Sequence, residues 1–126
     1  MKHVLVVDDE EAITYIFRRY LQAAGYRVTT AADGVEALAS FDAHVDSDPV
    51  DALITDIRMP RMGGEALIAQ LRPRFPDLPV IVVSAYPNEF GCARANTQVL
   101  SKPVDAATLL ASLGKMLGDR DPAPAI

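Results

Sequence analysis

Three short runs, Val4-Leu5-Val6-Val7, Ala52-Leu53-Ile54-Thr55 and Val80-Ile81-Val82-Val83, are almost wholly apolar and rich in β-branched residues. A strand wetted on one face would alternate, so continuous runs of this length predict strands covered on both faces. Between them the apolar positions recur every three or four residues. Ile13, Ile16, Phe17, Tyr20, Leu21 and Ala24 keep the period of a helix, and Gly25 follows as its stop. Val35, Leu38, Ala39 and Phe41 form a second helical stripe, Ala66, Leu67 and Leu71 a third, and Leu109, Leu110, Leu113 and Leu117 a last one. Weaker strand patterns cover Arg27 to Thr30 and Gln98 to Ser101, and Ala43 to Asp51 reads as an acidic loop. The order is β-α repeated five times, with the fourth helix, near Asn88 to Ala95, shortened by Pro87 and Gly91.

Strands alternating with helices at this spacing pair in parallel through right-handed crossovers, with helices on both faces. The expected fold class is therefore α/β, a doubly wound parallel sheet. Such sheets place their sites outside the carboxyl ends of the strands, so the residues that end each strand matter most. After Gly118 the chain loses its apolar period, which predicts one domain over 1–118 and a flexible C-terminal tail over 119–126.

Composition narrows the partners. Of 126 residues, 12 are Lys or Arg against 17 Asp or Glu, for a net charge of −5. Direct nucleic-acid binding would need a basic stripe to displace counterions, and an acidic chain gives anionic lipid no reason to bind. The single Cys92 cannot form an internal disulfide, and no apolar run approaches the roughly 18 residues of a membrane span. The expectation is a soluble, cytoplasmic protein with no membrane and no nucleic-acid partner.

The strand ends carry the chemistry. The first strand ends in Asp8-Asp9-Glu10-Glu11, the third in Asp56, the fourth in Ser84-Ala85 and the fifth in Lys102-Pro103. Singly, each has a structural explanation as a helix cap or turn former. Jointly they bring three carboxylates, a hydroxyl and an ammonium to one edge. Two carboxylates about 5 Å apart repel by about 3 kcal/mol at an effective dielectric near 20, so Asp8, Asp9 and Asp56 call for a cation. Hard oxygen ligands that leave room for water and phosphate favour Mg²⁺. His3 and His44 do not stand at metal-pair spacing, which argues against zinc or copper. A carboxylate held beside Mg²⁺ can attack a phosphoryl donor and become an acyl phosphate, with Lys102 and Ser84 contacting the phosphoryl oxygens.

Val7-Asp8-Asp9-Glu10, Asp56-Ile57-Arg58-Met59-Pro60 with Gly64, Ser84-Ala85 and Lys102-Pro103, in this order, resemble the motifs of the receiver domains of two-component response regulators. The resemblance runs from about residue 2 to about residue 117. It implies a CheY-like, flavodoxin-like (βα)5 fold with strand order 2-1-3-4-5. By the same resemblance Asp56 is the phosphoacceptor; Asp9, Asp56 and the Arg58 main-chain carbonyl bind Mg²⁺; and Asp8 acts through metal-bound water. Ser84 would contact the phosphoryl group and drive a switch, and Lys102 would pair with it. The implied partner is a histidine kinase or histidine phosphotransfer protein, with an unknown downstream protein. The chain would be a stand-alone receiver in a phosphorelay, self-phosphorylating with slow autophosphatase activity rather than a turnover enzyme.

Two departures from the family pattern stand out. Val99 occupies the place, three before the lysine, where receivers usually carry the aromatic ring of their switch. Lys102 follows Ser84 by only 18 residues, a short interval for the family. Competing readings are an Asp-dependent Mg²⁺ phosphatase of the haloacid-dehalogenase type, which wants a D-x-D pattern where this chain has adjacent Asp8 and Asp9, and a pseudo-receiver that only binds partners. Two further expectations concern the rim. Ile13 beside Pro103 would offer a small apolar docking patch, and Arg58 and Tyr86 would flank the path of water to an acyl phosphate.

Overall fold

A computed structural model of the chain describes residues 2–86 and 96–118. The strands are β1 (His3–Val7), β2 (Arg27–Ala31), β3 (Ala52–Thr55), β4 (Val80–Ser84) and β5 (Thr97–Ser101). The helices are α1 (Glu11–Ala23), α2 (Gly34–His44), α3 (Gly64–Leu71) and α4 (Ala106–Leu117). All neighbouring strands pair in parallel, in the order β2-β1-β3-β4-β5. The helix expected near Asn88 to Ala95 and the tail over 119–126 lie outside the described residues.

Every residue of β1, β3 and β4 is buried, as the unbroken apolar runs require. Successive side chains of a strand point to opposite faces, and the two faces build separate cores. Val4 and Val6 join Ile54, Ile81 and Val83 against Phe17 and Leu21 of α1 and Leu109 and Leu113 of α4. Leu5 and Val7 join Leu53, Val80 and Val82 against Ala37 and Phe41 of α2 and Leu67 and Leu71 of α3. The outer strands β2 and β5 are only partly buried, which is why their patterns are weaker in sequence.

Five residues placed in buried stripes from the sequence, Ile16, Ala24, Val35, Ala39 and Ala66, are exposed. The helices touch the sheet along narrower stripes than the apolar positions suggest. In α2 the inward face is Gly34, Ala37 and Phe41, because the helix start is drawn tightly onto the loop after β3, and Val35 is turned outward. In α3 it is Gly64, Leu67, Ile68 and Leu71. Helix α2 also runs on to His44, into the stretch read as a loop.

Two devices hold the strand ends in place. Asp8 N–H donates to the Ala31 carbonyl at 3.1 Å, Asp56 N–H to Val7 at 3.0 Å and Lys102 N–H to Ser84 at 2.9 Å, so sheet-type bonding continues past the apolar runs. Arg72, just beyond α3, donates to the carbonyls of Pro76 and Leu78 and to Thr97 Oγ1, tying the loop before β4 to the first residue of β5. That fixes the register of the strand that delivers Lys102.

Candidate functional site

Parallel pairing brings Asp8, Asp9, Asp56, Ser84 and Lys102 to the same carboxyl edge of the sheet, between the starts of the helices that follow. Asp8 is buried at 4% exposure, Asp56 is partly buried and Asp9 is open to solvent. A carboxylate oxygen from each of the three lies within 4.8 Å of the others. Lys102 Nζ reaches into the group, donating to Asp8 Oδ2 at 3.1 Å and to Asp56 Oδ2 at 3.1 Å. Glu10 stands at the rim, 4.0 Å from the same ammonium.

The remaining lone pairs are aimed by the main chain. Asp8 Oδ1 accepts from Glu10 N–H at 2.9 Å, and Asp56 Oδ1 accepts from Ile57 N–H at 2.7 Å. Asp8 and Asp56 therefore each have one oxygen fixed by their own loop and the other on Lys102. Ser84 is buried, and its hydroxyl accepts from Tyr86 N–H at 3.0 Å, which turns the chain after β4. The Arg58 guanidinium lies over the Tyr86 ring, 5.2 Å from its centroid, so the loops after β3 and β4 meet. The contact is a cation–π pair between a strongly exposed ring and an exposed arginine.

The electrostatics of this cluster are unequal. Burial pushes the Asp8 carboxyl above its ordinary value, and the Glu10 N–H and the Lys102 ammonium recover only part of that. Burial also works against the Lys102 ammonium, but hydrogen bonds to Asp56 and Asp8 outweigh it and the net shift is upward. Burial therefore raises Asp8, and its two carboxylate partners raise Lys102. The lysine gains two partners, whereas Asp8 has half a counterion and a carboxylate neighbour. The donor set of three carboxylates and one cation leaves net negative charge on oxygen ligands, which fits Mg²⁺ in type and in charge.

Sequence reasoning found every member of this cluster, but it missed the support beneath it. Asp33 caps α2 by accepting from Glu36 N–H at 2.9 Å and holds Arg61 Nε at 2.8 Å. The signal available was the Asp33-Gly34-Val35-Glu36 spacing, a helix-start pattern. Nothing in sequence pairs it with Arg61. The loop also depends on Gly63 and Gly64. A Cβ on Gly63 would stand 2.6 Å from the Ile57 carbonyl oxygen, and one on Gly64 would overlap that of Asp56.

A second feature beside the cluster is an apolar recess between α1 and the loop after β5, with a volume of about 500 Å³. Ile13, Ile16, Phe17 and Tyr20 line one side, and Ala85, Lys102, Pro103 and Val104 the other. The expected Ile13–Pro103 patch is part of this larger recess, and exposed Ile16 extends it.

A doubly wound parallel sheet with acidic residues and a lysine joined at its carboxyl edge defines a class of domains suited to phosphoryl chemistry. Comparison with known proteins is more specific. The family model of the response regulator receiver domain matches residues 4–114. Response regulator MprA of Mycobacterium ulcerans is 45% identical over 82 residues, 65% of this chain and 34% of its own length. Among solved structures, response regulator TrrA of Thermotoga maritima, in complex with Mg²⁺ and BeF, superposes with a TM-score of 0.79 at 30% identity. That match covers 92% of this chain and 99% of the other. Chemotaxis protein CheY4 of Vibrio cholerae gives 0.79 at 34% identity, covering 92% and 98%. The chain spans about a third of the length of the curated MprA relative. It belongs to the family of response regulator receiver domains of two-component systems. Phosphorylation on aspartate and the use of Mg²⁺ are general in that family.

The raised Asp8 value fixes the sign of a pH effect. A carboxyl whose folded value is raised keeps its proton after the unfolded chain has lost it, so its ionisation destabilises the fold as pH rises above about 3.8. In metal-free buffer at pH 7, Asp8→Asn is expected to raise the melting temperature by about 4 °C, or about 1 kcal/mol for a domain of this size. The gain should shrink toward pH 4. Added Mg²⁺ should stabilise the parent more than the variant. A lower melting temperature for metal-free Asp8→Asn at pH 7 would contradict the charge imbalance described.

Proposed function

We propose that the chain accepts a phosphoryl group on Asp56 from a phosphohistidine donor, a histidine kinase or histidine phosphotransfer protein, and signals through partner binding or by passing the group on. The observation that carries this reading is the single Lys102 ammonium bridging Asp8 and Asp56 at 3.1 Å each, with Asp9 beside them. Asp56 is the acceptor because its carboxylate combines partial exposure with contact to Lys102 and an orienting main-chain N–H. Asp9, Asp56 and the Arg58 main-chain carbonyl would hold Mg²⁺, with Asp8 acting through bound water. The ion, when bound, neutralises charge on the phosphoryl oxygens.

In this reading an Asp56 carboxylate oxygen attacks phosphorus in line with the donor bond. The new P–O bond forms as the P–N bond to the donor imidazole breaks, and the electron pair stays on the imidazole nitrogen, which takes a proton from solvent. Lys102 exchanges part of its contact with the carboxylates for the equatorial phosphoryl oxygens, and the Ser84 O–H, which acceptance from Tyr86 N–H does not use, supplies a further donor. The donor protein would dock in the recess between α1 and the loop after β5, whose apolar wall ends at Lys102. By this account the chain works in the cytoplasm, where a kinase charged from ATP is found.

The test is labelling with acetyl phosphate, followed by intact-mass analysis. The parent should gain one phosphoryl group only with Mg²⁺ present, and Asp56→Ala should gain none. An unchanged adduct in Asp56→Ala would remove Asp56 from the acceptor role.

The Arg58–Tyr86 pair leads to a second expectation. It joins the loops two residues beyond Asp56 and two beyond Ser84, where it can keep water from the phosphorus of an acyl phosphate. Arg58→Asn combined with Tyr86→Ala is expected to speed autodephosphorylation by about tenfold, equivalent to about 1.4 kcal/mol of barrier. Decay of the phosphorylated chain after donor removal measures it. Unchanged or slower decay would show that the pair does not guard the site.

A further inference from the structure

The loop that leaves Asp56 is short and tightly bent. Met62 N–H donates back to the Pro60 carbonyl at 2.6 Å across Arg61, which has a positive φ of 64°. A three-residue turn of this hand is rare and strained, and a non-glycine residue stays in it only when its surroundings hold it there. Those surroundings are the start of α2. Arg61 Nε donates to Asp33 Oδ2 at 2.8 Å, and its outer nitrogen lies 3.8 Å from Glu36 Oε2. Gly34 N–H donates to the Met62 carbonyl at 2.9 Å, and the Met62 side chain fills the space a Cβ on Gly34 would need.

The same loop begins at the acceptor and closes on the residue beside it. Ile57 N–H orients Asp56 Oδ1, and Gly64 N–H closes the loop on the Ile57 carbonyl at 2.8 Å. Asp33 is buried and Arg61 exposed, so only the carboxylate end of the ion pair is withdrawn from solvent.

We propose that Asp33 is a positioning residue for the acceptor site. Acting through Arg61, it holds the 57–63 loop so that the Ile57 amide and the Arg58 main chain stand correctly beside Asp56. By reciprocity, anything that binds at Asp56 and fixes the loop also tightens the start of α2. This rests on the phosphoacceptor reading above for its function, but not for its test.

Asp33→Asn is the informative variant, because asparagine keeps an oxygen to cap α2 and removes the charge that binds Arg61. Arg61→Gln removes the other partner, and Arg61→Lys restores the charge. Amide exchange in metal-free buffer and Mg²⁺ titration of the intact chain are the measurements. In Asp33→Asn and Arg61→Gln, exchange at Ile57 and Gly64 is expected to quicken about fivefold and the Mg²⁺ Kd to rise about fivefold, the low end of measured couplings. Exchange at Val82 in β4 should stay within twofold of the parent, and Arg61→Lys should recover most of both losses. Unchanged Ile57 and Gly64 exchange with unchanged Mg²⁺ affinity would overturn the proposal. So would acceleration equal to that at Val82, which would make Asp33 a contributor to stability alone. Failure of the phosphoacceptor reading is separately visible, as a parent that binds Mg²⁺ and is never labelled.

Discussion

One ammonium shared between two carboxylates organises this domain. The parallel sheet brings Asp8 and Asp56 together because they end adjacent strands, and their repulsion has to be met within the fold. Lys102 meets it from the far side of the sheet, 94 residues along the chain from Asp8, at 3.1 Å from each carboxylate. That contact exists only if β5 lies in register against β4, which Lys102 N–H to the Ser84 carbonyl and the Arg72 bonds at the start of β5 secure. The cluster still carries more negative than positive charge, so the fold is built with a deficit that a divalent cation and a phosphoryl group can both use. A site that were fully neutralised would have no reason to bind Mg²⁺.

The parts of the fold that were legible in sequence are those that one-dimensional patterns control. Both faces of β1, β3 and β4 are dry, so their runs are unbroken, and the residues ending each run had to sit at the carboxyl edge. The helices were legible as helices, but their inward faces were less so. Val35 and Ala66 are apolar and point outward, while Gly34 and Gly64 face inward because the Met62 side chain and the Asp56 backbone approach them closely. Hydrophobicity cannot report a contact made by the absence of a side chain. The Asp33–Arg61 pair, 28 residues apart, was invisible for another reason: each residue is ordinary where it stands, and only the fold joins them.

Val99 shapes how such a site could signal. It packs with the core between the sheet and helices α2 and α3, at a place where receivers usually carry a ring. A valine has no second pocket to fill, so little differential energy is available for moving β5. On the proposed reading the change on phosphorylation falls to the loops after β3 and β4. These already touch through Arg58 and Tyr86, and the first of them is anchored to α2 through Arg61.

On the proposed reading, the carboxylate on which these contacts converge is the one that reacts. Phosphorylating the chain with acetyl phosphate and Mg²⁺, reducing the acyl phosphate with borohydride and locating the resulting alcohol by tandem mass spectrometry identifies that carboxylate. Reduction of Asp56 to homoserine is expected, with Asp8 and Asp9 intact. Reduction at Asp8 or Asp9, or at no aspartate in a chain that has taken up phosphate, would contradict that reading.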